Sequence, residues 1–115
     1  MADFNYDSKT FAGVENYNSG DATAETRFYY RQQGEVVWGT YHGGGVLFGN
    51  LVAKLLTDGS LDMVWQYLNR EGVFISGTCR SIPTILPDGR YRLQESWTIN
   101  GGEPGTSVIE EVCDS

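Results

Sequence analysis

Short turns recur along this chain at nearly even intervals, and that rhythm leaves few folds open. The signals are Asn18-Ser19-Gly20-Asp21, Gln33-Gly34-Glu35, Gly43-Gly44-Gly45, Asp58-Gly59-Ser60, Asn69-Arg70-Glu71-Gly72, Pro87-Asp88-Gly89 and Asn100-Gly101-Gly102. Each holds a glycine, which reaches positive φ without steric cost, and most add Asn or Asp, which tolerate the same region. Between them lie runs of about 8 to 12 residues rich in Val, Ile, Thr, Tyr, Phe and Trp, the residues that suit a pleated surface. The turns are too short to carry crossover helices, so the runs read as an antiparallel meander. Eight strands are expected, over 10–17, 22–32, 35–42, 46–56, 60–69, 73–82, 90–100 and 105–113. Val46 to Leu56 is apolar enough to suggest a helix, but Gly49 within it and the glycine turns around it favour a strand. Eight antiparallel strands in 115 residues close most economically as an all-β, eight-stranded up-and-down barrel of calycin or lipocalin type, which removes both sheet edges. With no repeat, linker or low-complexity tract, residues 1–115 read as a single barrel domain.

Alternation assigns faces, because side chains in a strand point to opposite sides with period two. In 90–100, Tyr91, Leu93, Glu95, Trp97 and Ile99 share an apolar face broken by one carboxylate, and this face should point inward. In 22–32 the inward set is Ala24, Thr26, Phe28 and Tyr30; in 60–69 it is Leu61, Met63, Trp65 and Tyr67. The strand 35–42 sets Trp38 and Thr40 against Gly39 and Tyr41, and its inward face stays undecided. An eight-stranded barrel is near the size at which the interior is either filled by side chains or holds one small ligand.

Charge narrows the partners. Eight basic against fifteen acidic side chains give a formal charge of −7, the wrong balance for a nucleic-acid surface, which relies on clustered Lys and Arg. No stretch approaches the roughly 20 apolar residues of a membrane span. The start, Met1-Ala2-Asp3-Phe4-Asn5-Tyr6-Asp7, lacks the basic region and apolar run of a secretory signal, so a cytoplasmic location is expected. Cys79 and Cys113 form no CxxC motif. They lie two strands apart in this reading, roughly 9.6 Å, beyond the reach of a disulfide. Free thiols are expected, in keeping with a reducing compartment. The only histidine, His42, abuts a glycine turn and reads as a solvent-facing residue; it supplies no metal site, which needs three or four ligands. No cofactor or metal is expected.

Glu95 is the residue that stands out. A carboxylate on an apolar inward face is hydrogen-bonded, paired with a cation, or raised in pKa by desolvation. Its duller role is to fix register by bonding a Tyr or Arg near a barrel end; its sharper one is to anchor a ligand or move a proton. Glu110 and Glu111 are consecutive, so one of them should face inward beside the Glu95 strand, where two carboxylates can form an acid/base pair. Which of the two does so is open. Trp97, Tyr91, Tyr30, Phe28, Tyr67 and Trp65 complete the candidate lining, with Gln32 as a further polar group.

Read together, several motifs resemble one family. They are Thr10-Phe11 with Gly13-Val14 and Asn16, Trp38-Gly39-Thr40-Tyr41 before Gly43-Gly44, Asp58-Gly59-Ser60-Leu61-Asp62-Met63, Leu86-Pro87-Asp88-Gly89-Arg90 with Leu93, Glu95 and Trp97, and Ile109-Glu110-Glu111-Val112. From about Thr10 onward the chain resembles small bacterial proteins that often carry the name "N-acetylglutamate synthase". That name implies an acyl-CoA transferase, whose R/Q-x-x-G-x-G/A turn holds a pyrophosphate where a helix begins. Arg31-Gln32-Gln33-Gly34-Glu35 starts the pattern, but Val36 replaces its small last residue and a strand-like run follows. Without the helix, the phosphate cradle loses its physical basis, so acetyltransferase activity is not expected. The resemblance also implies histidines in the second and fifth strands, where this chain has Tyr29, Arg31 and Tyr67. It implies a fold more than a reaction, and no catalytic residue is carried over.

The leading expectation is a barrel that binds a small apolar or aromatic molecule in its interior. A second is a small-molecule enzyme with Glu95, joined by Glu110 or Glu111, as general acid/base. A third is a solid barrel acting through its surface, as a homodimer or with another partner.

Overall fold

The computed structural model describes residues 4–14 and 18–112. The regular elements among the described residues are all strands: β1 (Lys9–Gly13), β2 (Asn18–Ser19), β3 (Ala22–Thr23), β4 (Arg27–Gln33), β5 (Val36–Gly43), β6 (Val46–Leu55), β7 (Leu61–Asn69), β8 (Phe74–Ile85), β9 (Tyr91–Ile99) and β10 (Pro104–Glu111). Neighbouring strands from β4 to β10 pair antiparallel in chain order, and β1 bonds to both β10 and β4, closing an eight-stranded up-and-down barrel. Every backbone edge of the sheet therefore has a partner strand. The Arg31–Glu35 stretch is the end of β4 followed by the Gly34-Glu35 hairpin turn into β5, with Gly34 at φ 60°. It leads into a strand, as its sequence implies.

Alternation holds where the pattern is clean. Tyr91, Leu93 and Glu95 on β9, and Leu61, Met63 and Tyr67 on β7, are buried, with Trp97 and Trp65 half-buried on the same faces. The face left undecided on β5 is settled by Val37, Gly39 and Tyr41, which point in, while Trp38 points out. Trp38, Val52 and Val64 are direct cross-strand neighbours on the outer wall and form an exposed apolar row over β5, β6 and β7. His42 is exposed and lies against the Tyr29 ring, 5.6 Å between centroids.

Three expectations need correction. The stretch 22–32 is not one strand: a threonine-built turn splits it, with Thr26 N donating to Thr23 O and Thr23 N donating to Thr26 Oγ1, both at 3.0 Å. Ala24 sits in that turn and is exposed rather than inward. Upstream of the turn, β2 and β3 form a small separate hairpin. Finally, β8 runs on to Ile85, past the expected end at 82. The expected ends of the first and last strands reach Tyr17 and Cys113, which lie outside the described residues.

The interior divides into two halves. At the end that holds the β4–β5, β6–β7 and β8–β9 turns, Phe11, Val37, Leu61, Leu93 and Ile109 are fully buried. The chain's own Phe4–Asp7 segment closes this end. Tyr6 is fully buried, its hydroxyl donating to Gly59 O at 2.8 Å and its N–H to Gln32 Oε1 at 2.8 Å. Its ring meets Tyr91 edge-on at 5.6 Å, and Phe4 packs against the same ring at 5.4 Å. Burial pushes the Tyr6 hydroxyl far above the ordinary tyrosine range, with the neighbouring Tyr91 and Asp58 adding to the shift. The other half of the barrel is hollow.

Candidate functional site

The hollow half opens at the end where β9 finishes and β10 begins. It is a cavity of about 70 Å³. One water needs roughly 10–15 Å³ on the same measure. The inner part thus takes several water-sized groups.

Aromatic rings make its wall, and glycines let them lie flat. Gly49, Gly77 and Gly105 sit at inward positions on alternate strands. A side chain at Gly49 would stand 2.5 Å from the Tyr41 ring, and one at Gly77 would stand 2.5 Å from Trp65; at Gly105 it would run into the Trp97 ring. A glycine inside a strand commonly marks such a close approach. Trp65 and Tyr67 stack at 5.9 Å with only 15° between their planes. Phe28 and Tyr41 continue the wall at 5.0 Å.

Glu95 stands where the hollow meets the packed half. It is 8% exposed, and both carboxylate oxygens accept from serines: Ser81 Oγ at 3.1 Å from β8 and Ser107 Oγ at 3.2 Å from β10. Ser81 in turn lies 3.7 Å from the Cys79 sulfur. Burial pushes the Glu95 carboxyl up to about 7, and the two serine bonds hold it back from going further. Burial also pushes the Cys79 thiol far up, with Glu95 adding to the shift, so Cys79 behaves as a small neutral wall residue. The indole N–H of Trp97 is buried with no hydrogen-bond partner among the described residues.

The mouth is partly roofed by the β2–β3 hairpin. Asp21 Oδ2 accepts from Tyr67 Oη and Asn69 Nδ2, both at 3.1 Å, and Asp21 O accepts from Gly45 N at 2.8 Å. This clasp sets Ala22 against the cavity. Burial, with the charge of Asp21 next, pushes the Tyr67 hydroxyl up to about 12.

A family model described as Avidin-like protein matches residues 4–112, nearly the whole chain. The chain belongs to the avidin-like family. No curated protein and no solved structure matches it.

In this avidin-like barrel Glu95, Trp97, Tyr30, Phe28, Tyr67 and Trp65 surround one cavity. Three other candidates lie elsewhere. Tyr91 points inward but belongs to the packed end, with Lys9 Nζ 4.4 Å over its ring. Glu110 faces outward and pairs with Arg92 and Arg90. Glu111 has inward parity, yet it stands level with Tyr91 at the closed rim. There it pairs with Lys9 at 3.3 Å and accepts from Tyr91 N at 3.1 Å. That places it four residues along the barrel from Glu95, roughly 13 Å at strand rise, and no carboxylate contributes to the Glu95 shift. The expected carboxylate pair does not form. Gln32 also serves the closed end, holding Tyr6.

Sequence reasoning put Met63 inward without naming it as lining, left Tyr41 undecided, and passed over Leu51, Cys79 and Ser107, all of which reach the cavity. Ser107 was within reach: Ile109 is fully buried, and period two from it puts Ser107 on the same face. The flooring role of Gly49, Gly77 and Gly105 had a signal too, namely glycine inside runs that otherwise favour strand.

Proposed function

We propose that this barrel binds a small molecule in the open half of its interior, with Glu95 as its polar anchor and the rings as its wall. The observation that carries the reading is a buried carboxylate facing a hollow that the protein's own side chains do not fill. An apolar pocket with a few convergent polar groups is the usual makeup of such sites. Membership of the avidin-like family supports it, since barrels of that family bind small ligands such as biotin.

Titration followed by tryptophan fluorescence tests the proposal, because Trp65 and Trp97 line the cavity. A Trp38→Phe background removes the signal from the outer wall. Across a panel of biotin-like, aromatic and aliphatic compounds, at least one is expected to shift the emission with saturation. Leu51→Trp, which fills the hollow from β6, should weaken that compound at least about tenfold, about 1.4 kcal/mol. Silence across the panel, or binding indifferent to Leu51→Trp, removes the proposal. A carboxyl poised near neutral pH also suits proton transfer. Mass spectrometry of the recovered ligand decides that second reading, which requires a chemically altered product that disappears with Glu95→Gln.

A further inference from the structure

Donors and acceptors around the hollow are unevenly supplied, and the imbalance describes what would fit. The hydroxyls of Ser81 and Ser107 both point their protons at Glu95. The Tyr67 hydroxyl donates to Asp21, that of Tyr41 to Gln66 O at 3.1 Å, and the Trp65 indole N–H to Thr78 O at 3.0 Å. These donors are engaged with protein acceptors before any ligand arrives, which leaves the Trp97 indole N–H as one spare neutral donor, and neither lysine nor arginine is among the lining residues. On the acceptor side, a carboxylate has about four lone-pair sites, and the two serines occupy two of them. A guest therefore meets a negative group with acceptor capacity to spare and little that can solvate a negative group of its own.

We infer that the cavity selects a small organic cation, an ammonium or amidinium head on a short apolar body, whose N–H groups take the two open acceptor sites of Glu95 while its charge lies among the faces of Trp65, Trp97 and Tyr67. This rests on the ligand-binding reading above and names the ligand class for the same site. Aromatic faces attract cations, most strongly where water is excluded. A carboxylate-headed guest would have to bury its charge against Glu95 with no cationic partner. The groups that face Glu95 are Ser81 and Cys79 from β8, Ser107 from β10, and Tyr30 and Tyr67 across the hollow. None of them carries positive charge. The carboxyl must shed its proton to pair with a cation, so binding strengthens as pH rises.

Three probes of nearly one shape test the inference by calorimetry: benzamidine, benzamide and benzoate. At pH 8, benzamidine is expected to bind at least about tenfold tighter than benzamide, with benzoate weakest, and its affinity should rise several-fold between pH 6 and pH 8. Glu95→Gln should abolish the preference. Glu95→Asp, which keeps the charge, should retain it. Benzamide or benzoate binding as well as benzamidine, or a preference that survives Glu95→Gln, overturns the cation assignment while leaving the barrel a binder of small molecules. Failure of all three at millimolar concentration also overturns it, and the fluorescence panel then judges the binding reading on its own.

Discussion

Glu95→Gln is expected to stabilise the barrel at pH 8 by roughly 3 kcal/mol and to change it little at pH 5. The folded carboxyl titrates at about 7 against 4.5 for the ordinary group, and each pH unit of separation corresponds to about 1.4 kcal/mol. Because the folded value is the higher one, the folded chain holds its proton where the unfolded chain has lost it. The favourable contribution is complete below pH 4.5 and is lost as pH rises through 7. The isosteric amide never ionises and keeps its contribution throughout. Asp7, Asp58 and Asp88 behave the opposite way: hydrogen bonds from Gln32, Ser60 and Arg90 hold their carboxyls below the usual range. What they contribute is lost only on acidification, and equally in both proteins. Urea unfolding at pH 5 and pH 8 reads the difference; parallel pH profiles for the two proteins would sink the argument. A residue that weakens its own fold at neutral pH is characteristic of a functional group rather than a structural one.

Gly77→Ala should cost roughly 3 kcal/mol or more, the upper end of what overpacking does. The added methyl meets the Thr98 carbonyl on β9 as well as the Trp65 ring. The carbonyl belongs to the sheet backbone, which has nowhere to go without breaking the ladder between β8 and β9. Gly105→Ala makes an instructive contrast, because the three atoms nearest its new methyl all belong to the Trp97 side chain. That ring can swing into the hollow, so a smaller loss of stability with a changed Trp97 emission is expected. Urea midpoints and fluorescence spectra of the two variants distinguish these cases. Equal stability losses would mean that the backbone contact at Gly77 is not the limiting one.

The meander and its closure were legible because turn glycines and strand formers alternate so regularly, and the faces of β7 and β9 followed from bulky residues at period two. The face of β5 was not legible. Trp38 argues by size for the inside, whereas the barrel uses Gly39 there, because the backbone of Tyr29 approaches too closely for a side chain. The β2–β3 hairpin was missed because the Thr23 to Thr26 turn is built from side-chain hydroxyls rather than from glycine. Glu95 was found by parity alone. The same parity put one of Glu110 and Glu111 inside without saying which, and could not say how far along the barrel it stands. That depends on which residues of β9 and β10 lie opposite each other, here Glu110 with Arg92, and a period-two pattern does not encode that offset.

The Phe4–Asp7 segment corks one end of the cylinder, so traffic is one-way-in, same-way-out. Solvent displaced by an arriving guest has to leave past it through the same throat beneath the Asp21 clasp. Exchange is therefore a queue rather than a flow.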